Sequence, residues 1–479
     1  MFKRTKIVAT IGPSSQKYNV LEKMVKAGMN VTRLNFSHGS YENHATLINN
    51  IRKAEKKLGE PVAIMQDLQG PKIRLGTLPE KGVLIKTGQK IVINTAQKEY
   101  TDNELPLDYP DLHKFLKIGH RILIDDGHAE MKVLKIEGTK VYCRVTDGYL
   151  LKTHKGLNLP DSKLPISVLS EKDKNDLLFG VKMGVDAVAL SFVSNAKDIK
   201  VARALIKKYE KKLRIKDKYP IFIVAKIERH EALTNIDEII AEADGIMVAR
   251  GDLAMETTMS EMPLIQKTII EKANRLIKPV IVATQMLDSM QQNRRPTRAE
   301  ITDVANAVID HADALMLSNE SAVGKFPIET VEMMAEIITS TEESKYDDVD
   351  PNQEVHPHTS ISKAVAGLSG LLAKEVGAKA ILVASATGHT GRLVSRVRPE
   401  LPIFVGVESI RAGRHLCLSW GVRPFLLPIS RSIEALLKSF MSFVKKHKMV
   451  KKGDRVVVVT GEPLGRPGST NLLEVKEVK

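Results

Sequence analysis

Two apolar runs in this chain end abruptly in charge: Ile221-Phe-Ile-Val-Ala-Lys-Ile-Glu228 and Ile246-Met-Val-Ala-Arg-Gly-Asp252. Each has the length and β-branched content of a buried strand, with its charged residues at the carboxyl end. Two carboxylates, Glu228 and Asp252, beside the Lys226 ammonium form a donor set that suits Mg²⁺ and an anionic substrate. Magnesium takes one or two protein carboxylates and completes its octahedron with water and substrate oxygens. Lys226 and Glu228 stand two residues apart and therefore point to one side of an extended strand, which places positive charge where substrate oxygens gather. A lone Lys-x-Glu is commonly a surface ion pair; both carboxylates at the ends of neighbouring strands favour the chemical reading. Gly251 permits close backbone approach, so its amide can hold a substrate carboxylate. Thr284 offers a neutral hydroxyl that can bind the same carboxylate or relay a proton.

A second group stands earlier in the chain. Arg33, Asn35, Ser37 and His38 lie in Arg33-Leu-Asn-Phe-Ser-His-Gly39, and Asp67, Lys72 and Arg74 lie in Asp67-Leu-Gln-Gly-Pro-Lys-Ile-Arg74. Two arginines at strand ends read as a phosphate clamp, since guanidinium groups meet phosphate oxygens as a bidentate fork. Strand alternation places Arg33, Asn35 and Ser37 on one face.

Positioning these groups requires a barrel. Eight β-branched apolar runs recur through the first 320 residues, most separated by helix-like segments such as 20–27 and 170–183. That pattern predicts an α/β (β/α)₈ TIM barrel, whose chemistry sits at the carboxyl ends of the strands. Between the third and fourth runs the pattern changes to short alternating segments with turn signals, which predicts an inserted small β-barrel lid domain over the mouth. After the acidic segment Tyr346-Asp-Asp-Val-Asp-Pro351, a helix near 360–374 and strands beginning at Ala380, Pro402 and Arg455 predict a C-terminal open α/β domain. The expected boundaries are 1–72 and 166–345 for the catalytic barrel, 73–165 for the lid, and 346–479 for the C-terminal domain.

Composition narrows the class. With 479 residues, 43% hydrophobic and 27% charged, the chain supports several cores. No run approaches the roughly 18 apolar residues a membrane span needs, and the basic amino terminus has no signal core, so a cytoplasmic location with no membrane partner is expected. Cys143 and Cys417 are the only cysteines, which argues against a disulfide framework or thiolate metal site. The net charge of +15 raises the alternative of a nucleic-acid-binding protein. Diffuse lysines and 4% aromatic content speak against it, and no nucleic-acid partner is expected. A barrel lyase or aldolase acting on an enolpyruvate or keto acid would also use Glu228, Asp252 and an arginine around Mg²⁺, but leaves Lys155 in the lid and the pair Asn35 and Arg74 unexplained.

The motifs Asn35-Phe-Ser-His-Gly39, Asp67 to Arg74, Lys155-Gly-Leu-Asn-Leu-Pro160, Lys226-Ile-Glu228, Met247-Val-Ala-Arg-Gly-Asp-Leu253, Ala283 to Met290 and Pro296 to Asn306 match, in order, those of one family. The chain resembles the pyruvate kinases along essentially its whole length. The resemblance implies phosphoryl transfer from phosphoenolpyruvate to ADP, giving ATP and pyruvate in the last step of glycolysis. It implies that Arg33 and Lys226 stabilise the phosphoryl group in flight, that Glu228 and Asp252 hold Mg²⁺, with Mn²⁺ as a substitute, and that Gly251, Asp252 and Thr284 contact substrate, with Thr284 near the proton path. Asn35, Phe36, Ser37, His38, Arg74 and Lys155 line the nucleotide side, where a second Mg²⁺ arrives with ADP. Asp126 in Ile124-Asp-Asp-Gly127 is the implied lid residue, and a plain hairpin turn explains it equally well.

Lysine at position 72 resembles the potassium-independent, bacterial-type branch. An ammonium there can take the place of K⁺ among Asn35, Ser37 and Asp67, so no K⁺ requirement is expected. The C-terminal Ser385-Ala-Thr-Gly-His-Thr390, with Ser385, Thr387, Gly388, His389 and Thr390 ahead of a helix, and the Gly468-Ser-Thr-Asn471 loop resemble a regulatory site for a phosphorylated sugar or nucleotide activator. A homotetramer is also implied. Departures from the family pattern are Ala254-Met255 for Gly-Val, and Ser318-Asn319 for Ser-Gly.

Overall fold

The computed structural model describes residues 3–162, 164, 167–217, 219–348, 360–427, 432–447, 449–461 and 470–479. Eight parallel strands close into a barrel in the order Lys6–Thr10, Ala314–Leu317, Val280–Ala283, Gly245–Ala249, Phe222–Ile227, Ala187–Leu190, Ala63–Asp67 and Val31–Asn35. These are the eight apolar runs of the sequence. A strand buried on both faces carries no polar alternation, which is why the runs are nearly continuously apolar.

Inside the barrel the alternation shows itself in packing. Val8, Val31, Ala63, Met65, Ala187, Ala189, Phe222, Val224, Met247, Ile281, Ala283, Ala314 and Met316 form one interior cluster, whereas Ile7, Ile64, Val188, Ile223, Val248 and Leu315 pack outward with the helices. Continuing the inward parity by two residues reaches Arg33 from Val31, Asp67 from Met65, Ser191 from Ala189 and Lys226 from Val224. Parity thus places two cations, a carboxylate and a hydroxyl in the uppermost interior layer. At the opposite end Cys417 and Leu418 of the C-terminal domain close the interior.

The insertion lies between the third and fourth barrel strands and has its own core, including Leu75, Ile93, Leu105, Ile122, Val141 and Leu157. Its larger sheet has six strands and its smaller one two. Its strands include Val83–Leu84, Lys90–Asn94, Arg121–Ile124 and Lys140–Asp147, and the longest of the lid, Ala129–Glu137, is one that the sequence does not lead one to expect. The C-terminal sheet runs Val422–Leu426, Ile403–Val407, Ala380–Ala384, Arg455–Gly461 and Thr470–Glu477, the last antiparallel. Two of these strands, Val422–Leu426 and Thr470–Glu477, were not anticipated. Of the predicted Gly468–Asn471 loop, Thr470 and Asn471 belong to that edge strand, and positions 468 and 469 lie outside the described residues. No helix among the described residues is long and apolar enough to cross a membrane.

Candidate active site

Asp67 organises the interior end of the site. Its Oδ2 accepts from Arg33 Nε at 2.6 Å, and its Oδ1 lies 3.3 Å from Lys226 Nζ. Arg33 Nη1 also donates to Thr10 Oγ1 at 3.0 Å, and Lys226 Nζ donates to Ser191 Oγ at 2.7 Å. Burial by itself lowers the pKa of Lys226, but Asp67 and Glu228 more than offset it, so the ammonium is held charged well above its ordinary range. Burial likewise works against the Asp67 carboxylate, and Lys226 and Arg33 together pull its pKa down. Two cations are therefore fixed at the barrel mouth by a carboxylate that is itself fully buried.

Glu228 follows the strand Phe222–Ile227. Its Oε1 stands 2.8 Å from Lys226 Nζ, and its Oε2 accepts from the Phe192 amide at 2.7 Å. Burial pushes its pKa up, Lys226 opposes this, and the negative charge of Asp252 adds to the rise. Asp252 stands in the first turn of the short helix Arg250–Glu256. Two carboxylates whose charges burden one another, one of them buried, are the donor set that a divalent cation relieves, so these residues fit Mg²⁺. Among the described residues there is no cluster of three or more His, Cys, Asp or Glu that could hold a metal, so any ion here takes its remaining ligands from water or substrate.

Thr284 is held in an unusual conformation. Its φ is +73° and that of Gln285 is +54°, a region a β-branched residue avoids. Arg250 supplies the restraint: its Nη2 donates to the Thr284 carbonyl at 2.7 Å, its Nε to the Ala283 carbonyl at 3.3 Å, and its Nη1 bonds Asp303 at 2.8 Å. Asp303 is delivered by the helix Arg298–Ile309, whose start is fixed by a Thr297–Glu300 capping box. Sequence reasoning passed over Arg250 and Asp303 as positioning groups, as it did Ser191 and Thr10; the inward parity of the strands was the available signal for the last two. The Gly251 amide, expected to face a substrate carboxylate, here donates to Thr284 Oγ1 at 2.8 Å.

The nucleotide-side candidates are less uniform. The strand ends at Asn35, so Ser37 stands in a turn and does not continue the shared face of Arg33 and Asn35; the Ser37 amide donates to Asn35 Oδ1 at 3.0 Å. The Phe36 side chain is buried and stacks on His44 with ring centroids 3.9 Å apart, so its ring faces the helix layer. Arg74 donates to the His154 carbonyl at 3.1 Å. Lys155 pairs with Asp125 Oδ1 at 2.8 Å, so Asp125, the neighbour of the expected Asp126, is the one that pairs with Lys155. Asp125, Asp126 and Gly127 all have positive φ, and a Cβ at Gly127 would lie 3.9 Å from Met255 of the barrel. The lid hairpin thus reaches the altered Ala254-Met255 segment.

Lys72 forms no hydrogen bond or ion pair through its ammonium among the described residues; its stem crosses Gly156 so closely that an added Cβ would collide with it. Asp67, expected beside it, is taken by Arg33 and Lys226. In the C-terminal domain, Gly388 has φ +79° at the start of the helix His389–Arg396. Ser385 Oγ accepts from the Thr390 amide at 3.2 Å, Thr387 Oγ1 from the His389 amide at 3.3 Å, and Thr390 Oγ1 bonds Thr470 Oγ1 at 2.7 Å. Burial, then Arg392, Lys363 and Lys278, lower the His389 pKa, so this helix start is an electropositive surrounding.

Comparison with known proteins agrees with this geometry. Residues 2–331 match the family pattern described as "Pyruvate kinase, barrel domain", and residues 363–476 that described as "Pyruvate kinase, alpha/beta domain". The chain belongs to the pyruvate kinase family. It is 41% identical to the pyruvate kinase of Geobacillus stearothermophilus over 99% of this chain and 80% of the relative. It is also 39% identical to that of Thermococcus litoralis over 99% and 98%. A crystal structure of a pyruvate kinase from Cryptosporidium parvum superimposes with a TM-score of 0.91 at 35% identity, covering 100% of this chain and 96% of that one. The activity is the family's, a phosphoryl transfer from phosphoenolpyruvate to ADP that yields ATP and pyruvate.

Proposed function

We propose that this transfer takes place at the barrel mouth, with phosphoenolpyruvate on the side of Lys226, Glu228, Gly251, Asp252 and Thr284 and the nucleotide on the side of Asn35, Ser37, His38, Arg74 and Lys155. The supporting observation is the sharing of buried Asp67 by Arg33 and Lys226. Phosphoryl transfer asks little covalent chemistry of a protein and much charge, fixed before the reaction begins. Arg33 and Lys226 supply two positive charges that need no reorganisation as the phosphoryl group moves between oxygens. Glu228 and Asp252 would hold Mg²⁺ or Mn²⁺, which when bound contributes further positive charge to the substrate oxygens. Thr284, held by Arg250, lies on the path by which the enolate left behind takes its proton. The lid, through the Asp125–Lys155 pair, excludes water from the mouth.

Within the same reading a second Mg²⁺ enters with ADP, Lys72 supplies the charge that K⁺ supplies elsewhere, and the loop of Ser385, Thr387, Gly388, His389 and Thr390 takes a phosphorylated sugar or nucleotide activator. The functional unit is a cytoplasmic homotetramer, which light scattering on the purified chain tests. The decisive experiment for the site is pyruvate formation from phosphoenolpyruvate and ADP with Mg²⁺, comparing the wild type with Lys226→Met. A fall in turnover of about a thousandfold or more is expected for loss of a transition-state charge; unchanged turnover removes Lys226 from its role.

A further inference from the structure

Tyr219 precedes the strand Phe222–Ile227 that carries Lys226, so by chain order it belongs to the barrel. Its ring lies elsewhere. It is 7% exposed and packs in the core of the C-terminal domain with Ile381, Val383 and Leu393. Its hydroxyl donates to the Ala386 carbonyl at 2.8 Å. A phenol taken into an apolar core needs such a partner, because a buried hydroxyl without one is costly. Ala386 is the second residue of the loop 385–390.

The same segment is fastened a second time. The Tyr219 carbonyl accepts from Arg411 Nη1 at 3.2 Å, and Arg411 Nε lies 3.3 Å from Asp217 Oδ2. Arg411 stands on Ile410–His415 of the C-terminal domain. The base of one catalytic strand is therefore tied to the regulatory-type domain by a side chain reaching in and a guanidinium reaching out. From Tyr219 to Lys226 the chain spans about 23 Å at ~3.3 Å per extended residue. Phe222–Ala225 pairs with Ala187–Leu190 and Val224–Ile227 with Gly245–Val248, so the segment is a stiff extended link between Tyr219 and Lys226.

We infer that Tyr219 is a positioning residue that couples a phosphorylated effector on the loop 385–390 to the phosphoenolpyruvate affinity of the barrel mouth. An anion gathered by the amides and hydroxyls of this loop draws the backbone around it, and the Ala386 carbonyl moves with the loop. The Tyr219 hydroxyl follows that carbonyl, and the strand bearing Lys226 and Glu228 follows Tyr219. Reciprocity requires phosphoenolpyruvate to tighten effector binding by the same factor. This inference rests on the effector reading of the loop and on the roles given to Lys226 and Glu228.

Tyr219→Phe tests the coupling, because it keeps the ring in its core and removes the hydroxyl that bonds Ala386. Glucose 6-phosphate and AMP serve as probes of the two effector classes, with thermal midpoint and phosphoenolpyruvate KM followed for wild type, Y219F and the double loop variant S385A/T387V. The expected result is a probe-induced fall in KM in the wild type that shrinks three- to tenfold in Y219F, with kcat and the unliganded midpoint unchanged. The probe-induced midpoint shift should be lost only in the loop variant. A full KM response in Y219F overturns the coupling while leaving the effector loop in place. If neither probe affects the wild type, the effector reading fails and the strand coupling is judged by Y219F alone. A KM change of threefold or more at constant kcat then supports it, and an unchanged KM overturns it.

Discussion

Arg250 donates to the Thr284 carbonyl oxygen at 2.7 Å and so stabilises a β-branched residue at φ +73°. Such a backbone costs on the order of 1–3 kcal/mol and persists only where neighbours over-determine it. The Arg250 fork is completed by Asp303, 2.8 Å from Nη1. Asp303→Asn keeps the shape and removes the charge, and on the proposed role of Thr284 in proton delivery is expected to lower kcat/KM about tenfold, with most of the loss in kcat. Arg250→Met, which frees both carbonyls, should lose about a hundredfold. Steady-state kinetics beside a thermal melt checks both, since a fold defect would lower the midpoint in step with activity.

Glu228 yields a prediction read without turnover. Its pKa is raised, first by burial and then by Asp252, and a metal ligand must give up its proton to bind. Protons therefore compete with the cation as pH falls toward that raised value. Mn²⁺ affinity, followed by electron paramagnetic resonance on the protein without substrate, should begin to weaken at a higher pH than an unperturbed glutamate allows. Glu228→Gln should weaken it roughly tenfold or more and flatten the pH dependence; an unchanged profile would take Glu228 out of the metal site.

How far this was legible follows from periodicity. The barrel strands could be read because continuous apolar runs of four to six residues are what a doubly buried strand requires, and because charged residues, Asp67, Lys226 and Glu228, end them abruptly. The lid and the C-terminal edge were harder: Ala129–Glu137 alternates with lysines and glutamates, and Thr470–Glu477 is largely polar, so both resemble surface loop. Ser37 was misplaced because alternation was carried past the last strand residue, Asn35. The direction of the Phe36 ring was not legible because a motif names neighbours without saying which face each takes; an aromatic one position off the inward parity goes to the helix layer. The grip of Arg250 on Thr284 was invisible, because it joins the ends of two neighbouring strands through backbone carbonyls, which leave no trace in residue type.

Asp347 supplies a pH-dependent stability test at the junction between the barrel and the C-terminal domain. Its Oδ1 is buried without a hydrogen-bond partner among the described residues, and its carbonyl accepts from His311. Burial first, with Glu400, Glu342 and Asp348 adding to it and Arg4 opposing, raises its carboxyl to about 6. Unfolded, an aspartate titrates near 3.9. The folded state therefore holds the proton more tightly, and its stability falls as pH rises between about 4 and 6, with the full cost present above that window. Asp347→Asn should raise the thermal midpoint by a few degrees at pH 8 and change little at pH 4. An equal gain at both values would refute the assignment.

Lys72 carries the most specific expectation about the ions this enzyme needs. Its ammonium makes no hydrogen bond or ion pair among the described residues, while its stem is held against Gly156, whose lack of a Cβ lets it pass. A cation without a partner among the described residues, beside the residues proposed to face the nucleotide, is available to a phosphate oxygen, as a bound monovalent ion would be. Turnover measured in tetramethylammonium buffer should then be the same with and without 100 mM KCl, to within about twofold. Lys72→Glu reverses the local charge and should cost about tenfold or more in tetramethylammonium, with a substantial part regained on adding K⁺ and little on adding Li⁺. Gly156→Ala, which displaces the stem without altering charge, should lose activity that K⁺ does not restore. A severalfold stimulation of the wild type by K⁺ would show that the ammonium does not stand in for the ion.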